Sequence, residues 1–193
     1  MHYCIHLFTE TLPTESKIMA ILEPFNSETI YGVDEEGNEK EIKEYPPFTW
    51  DWWQIGGRYH GRLKLKIDEN DEVYRWRFYS KEPREGRLFH SMLLRRIRES
   101  FTTWQSHEED YLGYLGYLEK DPHIRVDGAK ISDLINDFED LGCFGFVDID
   151  GRAFSREHWN GQTIVENPEF DKQYQEKLKE RADCFLTVID IHD

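Results

Sequence analysis

The sequence predicts one α+β domain spanning residues 1–193, with helices packed on a mainly antiparallel sheet in a loosely ferredoxin-like order. Three observations carry that expectation. The chain opens on an alternating stretch, HYCIHLFT, and closes on an apolar one, CFLTVIDI. Segments of helical periodicity follow the first and precede the second. Finally, 193 residues with 12 Phe, 10 Tyr and 6 Trp suffice for one aromatic-rich core rather than two full domains.

In the first strand His2, Cys4, His6 and Phe8 share one face and Tyr3, Ile5 and Leu7 the other, and bulky groups on both faces suit a central strand. TESKIMAILEPF places Ile18, Ile21, Leu22 and Phe25 at helical spacing, with Pro24 marking the end. Residues 26–47 read as an acidic excursion, with a weak hairpin around DEEGNE and Pro46-Pro47 leading into FTWDWWQIGGR. In that stretch Trp50, Trp52 and Ile55 are expected to face the core, and Asp51 and Trp53 elsewhere. RLKLKID and DEVYRWRFYS alternate with period two about a polar turn, predicting a hairpin with Lys64, Lys66, Arg75 and Arg77 in solvent. A helical insertion is expected over 80–140. It comprises an amphipathic helix in GRLFHSMLLRRIRESF, a glycine-weakened one in the Tyr-Leu-Gly repeat, and a short one in AKISDLINDFEDLG capped by Gly142. CFGFVDIDGRAF predicts two short strands about an Asp150-Gly151 turn, and Asn167-Pro168 opens a last helix in PEFDKQYQEKLKERA.

The formal net charge of -15 argues against direct nucleic-acid binding. The charge is uneven, because from Arg58 to Arg98 twelve Lys or Arg stand against six Asp or Glu. Pairing across the fold is one outcome of such a pattern. The other is an acidic face, formed by Asp34, Glu35, Glu36, Glu39 and Glu41 with Glu108, Glu109 and Asp110, that imitates a nucleic-acid backbone in the basic groove of a partner protein. Cys4, Cys143 and Cys184 are odd in number and widely spaced, which predicts free thiols in a reducing cytoplasm. No apolar run approaches the roughly 18 residues of a membrane span. Walker loop, dinucleotide fingerprint, HExxH, nucleophile elbow and paired-cysteine motifs are all missing, and no cofactor is expected.

Two constellations carry candidate chemistry. Around the aromatic stretch, Trp52 and Trp53 offer stacking surfaces, Gly56-Gly57 a backbone nest and Arg58 a cation, a set suited to a phosphate or carboxylate ligand. Its structural alternative is a tight turn closed by an Asp51–Arg58 pair. At the two ends of the chain, antiparallel pairing of the first and last strands brings His2 beside His192, with Asp190 placed to orient an imidazole. That is a general acid/base cluster, to be weighed against ordinary solvated histidines at strand ends. His2, Cys4 and His6 follow one another at about 7 Å along one face, too wide for one ion, and no metal site is expected. Asp148, Asp150 and His158 form an oxygen-rich group that an ordinary Asp-Gly turn explains.

HYCIHLF, WDWWQIGGRYHG, DGRAF and LTVIDIH together resemble, in the same order, a family of small proteins of tailed bacteriophages and prophages. The aromatic-Gly-Gly-Arg segment is the most specific part. Residues 80–140 have no counterpart, and a tryptophan-rich pattern after the Asp-Gly turn is reduced here to Trp159. The resemblance implies a phage or mobile-element origin and action in the cytoplasm of a bacterial host. Small acidic phage proteins without enzyme motifs are often inhibitors of host defence, CRISPR effectors included.

The leading expectation is therefore a non-enzymatic protein that inhibits a host factor, one that handles nucleic acid, through acidic loops; such binding weakens steeply with salt and survives Arg58→Ala. The competing expectation is a nucleotide or phosphate site, binding or enzymatic, around Trp52, Gly56, Gly57 and Arg58 with His2, Asp190 and His192 nearby. A third is a structural or regulatory phage protein that forms a homodimer.

Overall fold

The computed structural model describes residues 1–34, 36–38, 42, 44–59, 61–65 and 124–193. These residues form β1 (His2–Thr9), α1 (Glu15–Leu22), α2 (Ser27–Tyr31), β2 (Trp52–Ile55), β3 (Leu63–Leu65) and β4 (Ile124–Val126). They continue with β5 (Gly128–Lys130), β6 (Gly145–Val147), β7 (Ala153–Ser155), β8 (Glu157–Trp159), β9 (Ile164–Glu166), α3 (Phe170–Glu180) and β10 (Phe185–His192). The architecture is α+β, as the sequence predicts.

A six-stranded sheet carries the fold in the order β2-β10-β1-β6-β7, with β5 also paired to β10. All its pairings are antiparallel except β1 with β6. Strand, helix, hairpin, helix, strand is a ferredoxin-like succession, with the first strand of the β6–β7 hairpin lying beside β1. The two faces of β1 sort as its alternation requires. Cys4 and Phe8 join Phe146, Phe170, Tyr174, Leu186 and Val188 in one cluster under α3. Ile5 and Leu7 join Ile18, Leu22, Ile189 and Ile191 in the other, under α1. Helix α1 begins where Thr14 accepts the Lys17 N–H at 3.3 Å and buries Ile18 and Leu22; Pro24 then falls in a 3-10 turn, Glu23–Phe25.

Strands β2 and β5 lie end to end along the same edge of β10. Ile55 pairs with Ile189 and Gly128 with Thr187, and Val188, between them, accepts the Gly56 N–H and donates to the Asp127 carbonyl. They act as one edge strand interrupted after Ile55, and the chain leaves and returns at that gap. Of the helical insertion expected over 80–140, residues 80–123 lie outside the described residues. The first strand of the expected 62–79 hairpin exists as β3, but among the described residues it pairs with β4; residues 66–79, with Lys66, Arg75 and Arg77, lie outside the described residues, as do both helices expected over 86–120.

The helix expected in AKISDLINDFEDLG does not form. Residues 128–130 pair along β10 as β5, and 3-10 turns cover Ile131–Asp133 and Phe138–Leu141. The Ile131 and Ser132 N–H groups bond to the Cys184 and Ala182 carbonyls, and Asn136 bridges the Lys64 N–H and the Arg62 carbonyl. Tertiary partners outcompete the helical ladder. The last helix does form, two residues later than Asn167-Pro168 implies: Asn167 accepts the Glu169 N–H at 3.2 Å and Phe170 begins α3.

The Asp150-Gly151 turn forms as expected, with Gly151 at φ 82°, and α3 is tied to it through buried Asp148. The Asp148 carboxylate accepts from Ile149 N at 2.8 Å and Arg181 Nε at 3.1 Å, and pairs with Lys177 Nζ at 3.1 Å. Burial works to raise its pKa, but the Arg181, Ile149 and Lys177 bonds more than offset this and hold it below the usual value. A depressed folded pKa contributes stability that is present above the ordinary carboxylate range and lost as pH falls through the folded value. Asp148→Asn is expected to cost about 2 kcal/mol at neutral pH, the scale of a bond to a charged group, with the difference narrowing below about pH 4 in urea unfolding. No helix among the described residues is long and apolar enough to cross a membrane.

Candidate functional site

The β1–β10 register sets His2 opposite His192 and Cys4 opposite Asp190. The β10–β2 register adds Trp52 opposite His192 and Gln54 opposite Asp190. Because directly opposed residues share a face, His2, His192, Asp190 and Trp52 all rise from one side of the sheet at its open end.

Each imidazole is held by its own aspartate. His2 Nδ1 lies 2.9 Å from Asp190 Oδ1, and His192 Nδ1 lies 2.9 Å from Asp51 Oδ1. A carboxylate partner accepts, so both rings carry a proton on Nδ1 and leave Nε2 without a hydrogen-bond partner among the described residues. The rings meet edge to face with centroids 5.1 Å apart, and Trp52 sits 6.1 Å from His2. The two supports differ. Asp190 is 1% exposed, whereas Asp51 is in solvent with its pKa lowered mainly by the His192 bond. The histidines are open to solvent, at 23% for His2 and 43% for His192.

The glycine pair closes over this cluster from below. Gly56 and Gly57 have φ of 68° and 49° and press on two buried carboxylates: an added Cβ would fall 2.6 Å from Asp127 Oδ2 or 2.4 Å from Asp190 Oδ2. Asp190 Oδ2 accepts the Arg58 N–H at 2.9 Å, and Asp127 Oδ1 accepts the Gly61 N–H at 2.8 Å. The anion in the backbone nest is thus the protein's own Asp190. Gly56 shapes the site without presenting its amide to it, since its N–H goes to the Val188 carbonyl while its own carbonyl accepts the Tyr59 N–H. Tyr59 completes the wall, donating from its hydroxyl to the His2 carbonyl at 3.0 Å, with the Arg62 guanidinium 5.0 Å over its ring.

Three expectations about the aromatic stretch change. Asp51 does not close a turn with Arg58; it holds His192, and Arg58 projects into solvent with no side-chain partner among the described residues. Trp52 is 46% exposed beside His2, not in the core. Trp53 instead packs on the cluster containing Ile55 and Trp50. Of the site residues read from the sequence, His2, Asp190, His192, Trp52, Gly57 and Arg58 come together, whereas Trp53 lies on the other face.

His6, four residues from His2 on the same face, is sealed in the core with Nδ1 2.5 Å from the Tyr174 hydroxyl and Nε2 3.6 Å from Cys4 Sγ. Burial pushes its pKa down to about 3 and that of Cys4 up to about 12, so both stay neutral. Among the described residues no group of three or more His, Cys, Asp or Glu is arranged to hold a metal ion. Asp148 is spent on Arg181 and Lys177, and Asp150 on Arg152. Of the acidic residues expected to contact a partner, Asp34 and Glu36 are exposed, with Asp34 accepting the Glu36 and Asn38 N–H groups. Glu35, Glu39, Glu41, Glu108, Glu109 and Asp110 lie outside the described residues.

Neither Asp51 nor Asp127 was expected in a supporting role. Strand parity would set Asp51 on the face opposite His192, and only the bend at Asp51 brings the two together; Asp127 gives no local signal. A scan of protein-family models finds no match to the chain, and searches of curated proteins and of solved structures return no similar protein.

Proposed function

We propose that the open end of the sheet is a small-ligand site that binds a nucleotide or related phosphate compound and transfers protons at it. The observation that carries this reading is the pair of touching imidazoles, each fixed at Nδ1 by a separate aspartate and each with Nε2 unpartnered among the described residues. Two oriented imidazoles supply a base and an acid in one place. Exposed Trp52 offers a face for a base to stack on, and exposed Arg58 offers a fork for phosphate. The acidic-inhibitor reading rests on residues of which Asp34 and Glu36 are described, both exposed, and it stands as the alternative. If the chain is of phage or mobile-element origin, as its resemblance implies, the ligand is one present in a bacterial host.

The test is thermal unfolding against a panel of mononucleotides, dinucleotides and inorganic phosphate. At least one nucleotide is expected to raise Tm, through about 2.7 kcal/mol of added stability at a hundredfold excess over Kd, and Arg58→Ala is expected to abolish the shift. His2→Ala is expected to keep the shift and lose turnover. A panel that leaves Tm unmoved refutes the site.

A further inference from the structure

Beyond the histidine cluster, a second cleft of about 300 Å³ opens between the β8–β9 hairpin and residues 45–49. Tyr3 reaches it from the face of β1 opposite His2, so the two sites lie on different sides of the sheet. Its walls are aromatic. The Tyr3 and Phe144 ring centroids are 4.4 Å apart, Tyr45 stands across from them, and Trp159 is exposed at the rim.

The hairpin is seated on Tyr45 by a glycine contact. Gly161 has φ 96°, and an added Cβ there would lie 2.7 Å from Tyr45 Cε2. Only glycine allows the hairpin this close, which makes the cleft a built feature.

Two carboxylates, Glu157 and Asp193, line the same space. The Asp193 side chain accepts the Thr49 hydroxyl at 2.7 Å and the Ser27 hydroxyl at 3.2 Å. The N-terminal ammonium bonds to an Asp193 main-chain oxygen and His158 lines the cleft, but among the described residues neither side-chain carboxylate has a cationic side-chain partner and no Lys or Arg lines the cleft. The field of Asp193 reaches the aromatic wall: the Tyr3 hydroxyl has its pKa raised, first by burial and then by the charges of Asp193 and Glu157.

We propose that this cleft binds an organic ammonium ion, seated against the aromatic faces with Glu157 and Asp193 supplying the counter-charge. Ring faces carry negative potential and attract cations. Carboxylates repel anions from the same space, and a bare ammonium loses strong hydration on entering it. A methylated ammonium, with its charge spread over apolar methyl groups, meets both conditions. The volume admits one such head group or one side chain, at the lower end of small-molecule sites.

The experiment is a titration of the full chain followed by the Trp159 indole N–H signal in ¹H–¹⁵N NMR spectra, at matched ionic strength. The probes are choline, Nα-acetyl-Nε-trimethyl-lysine amide, and 3,3-dimethylbutan-1-ol, the uncharged isostere of choline. Saturable shifts are expected with at least one cation, and binding of the isostere about tenfold weaker. Choline as the tighter cation identifies a free small amine, and the lysine derivative as the tighter one identifies a modified protein side chain. Glu157→Gln, a partly exposed position where folding is not at stake, is expected to weaken cation binding about threefold or more while leaving Tm and the His2 signals unmoved. Equal affinity for the isostere, unchanged affinity in Glu157→Gln, or no shift with either cation overturns the proposal.

Discussion

Asparagine at position 190 is expected to reverse the tautomer of His2 and leave the fold standing. Asp190 faces two donors and offers two acceptors, Oδ1 to His2 Nδ1 and Oδ2 to the Arg58 N–H, each at 2.9 Å. Asparagine has the same shape but one acceptor and one NH₂ group. The backbone fixes the Arg58 N–H, so the single oxygen stays there and the NH₂ group turns to His2. An imidazole facing a donor must present a lone pair, which moves its proton from Nδ1 to Nε2. The nitrogen left free for base chemistry is then blocked, and a reaction using it is expected to slow by about 10³- to 10⁴-fold, as for other imidazoles held in the wrong tautomer. Long-range ¹H–¹⁵N spectra of the imidazoles read this without any substrate: His2 switches, while His192, held by Asp51, does not. An unchanged His2 tautomer in Asp190→Asn would remove Asp190 from the orienting role.

That the two histidines meet was legible because strand parity needs no tertiary information. His2, Cys4, His6 and Phe8 alternate with Tyr3, Ile5 and Leu7, and one antiparallel pairing of the chain's ends fixes the rest. The aromatic stretch defeated the same logic. Grouping Trp50, Trp52 and Ile55 mixes two parities, and the chain resolves the conflict by bending at Asp51. Trp50 caps the lower core through a bridge to Asn26, and the regular strand starts only at Trp52. From there Trp53 and Ile55 face the α1 side, and Trp52 and Gln54 the histidine side.

Other features depend on contacts distant in sequence. Glycines beside an arginine suggest a nest for an outside anion, and nothing local says that Asp190, 133 positions after Gly57, fills it. Residues 131–141 have a helical spacing of apolar groups, but the pairing of Lys130 with Phe185 and the bridge from Asn136 to β3 draw the backbone away from a helix. Short polar residues such as Ser132, Asp133 and Asn136 weaken the local preference enough for that to happen. The helices that did form as expected, α1 and α3, lack such competitors and bury strong apolar pairs, Ile18 with Leu22 and Phe170 with Tyr174.

Gly57→Ala is expected to cost about 3 kcal/mol and lower Tm by about 6–12 °C, whereas Gly151→Ala should cost about 1 kcal/mol. Both residues have positive φ, at 49° and 82°, so both substitutions incur the backbone penalty of a left-handed residue. They differ in what a side chain would meet. At Gly151 nothing lies within 4 Å of an added Cβ. At Gly57 it would fall 2.4 Å from Asp190 Oδ2 and 2.5 Å from Asp190 Cβ, and Asp190 is buried in the central pair of strands and cannot retreat. The turn must lift instead, drawing the Arg58 N–H away from Asp190 and leaving a buried carboxylate with His2 alone. Stability and site geometry should therefore fail together: the melting temperature falls, and the His2 Nδ1 proton signal broadens or shifts. A Gly57→Ala protein no less stable than Gly151→Ala would mean that the turn does not rest on Asp190, and that the histidine cluster is held by the strand register alone.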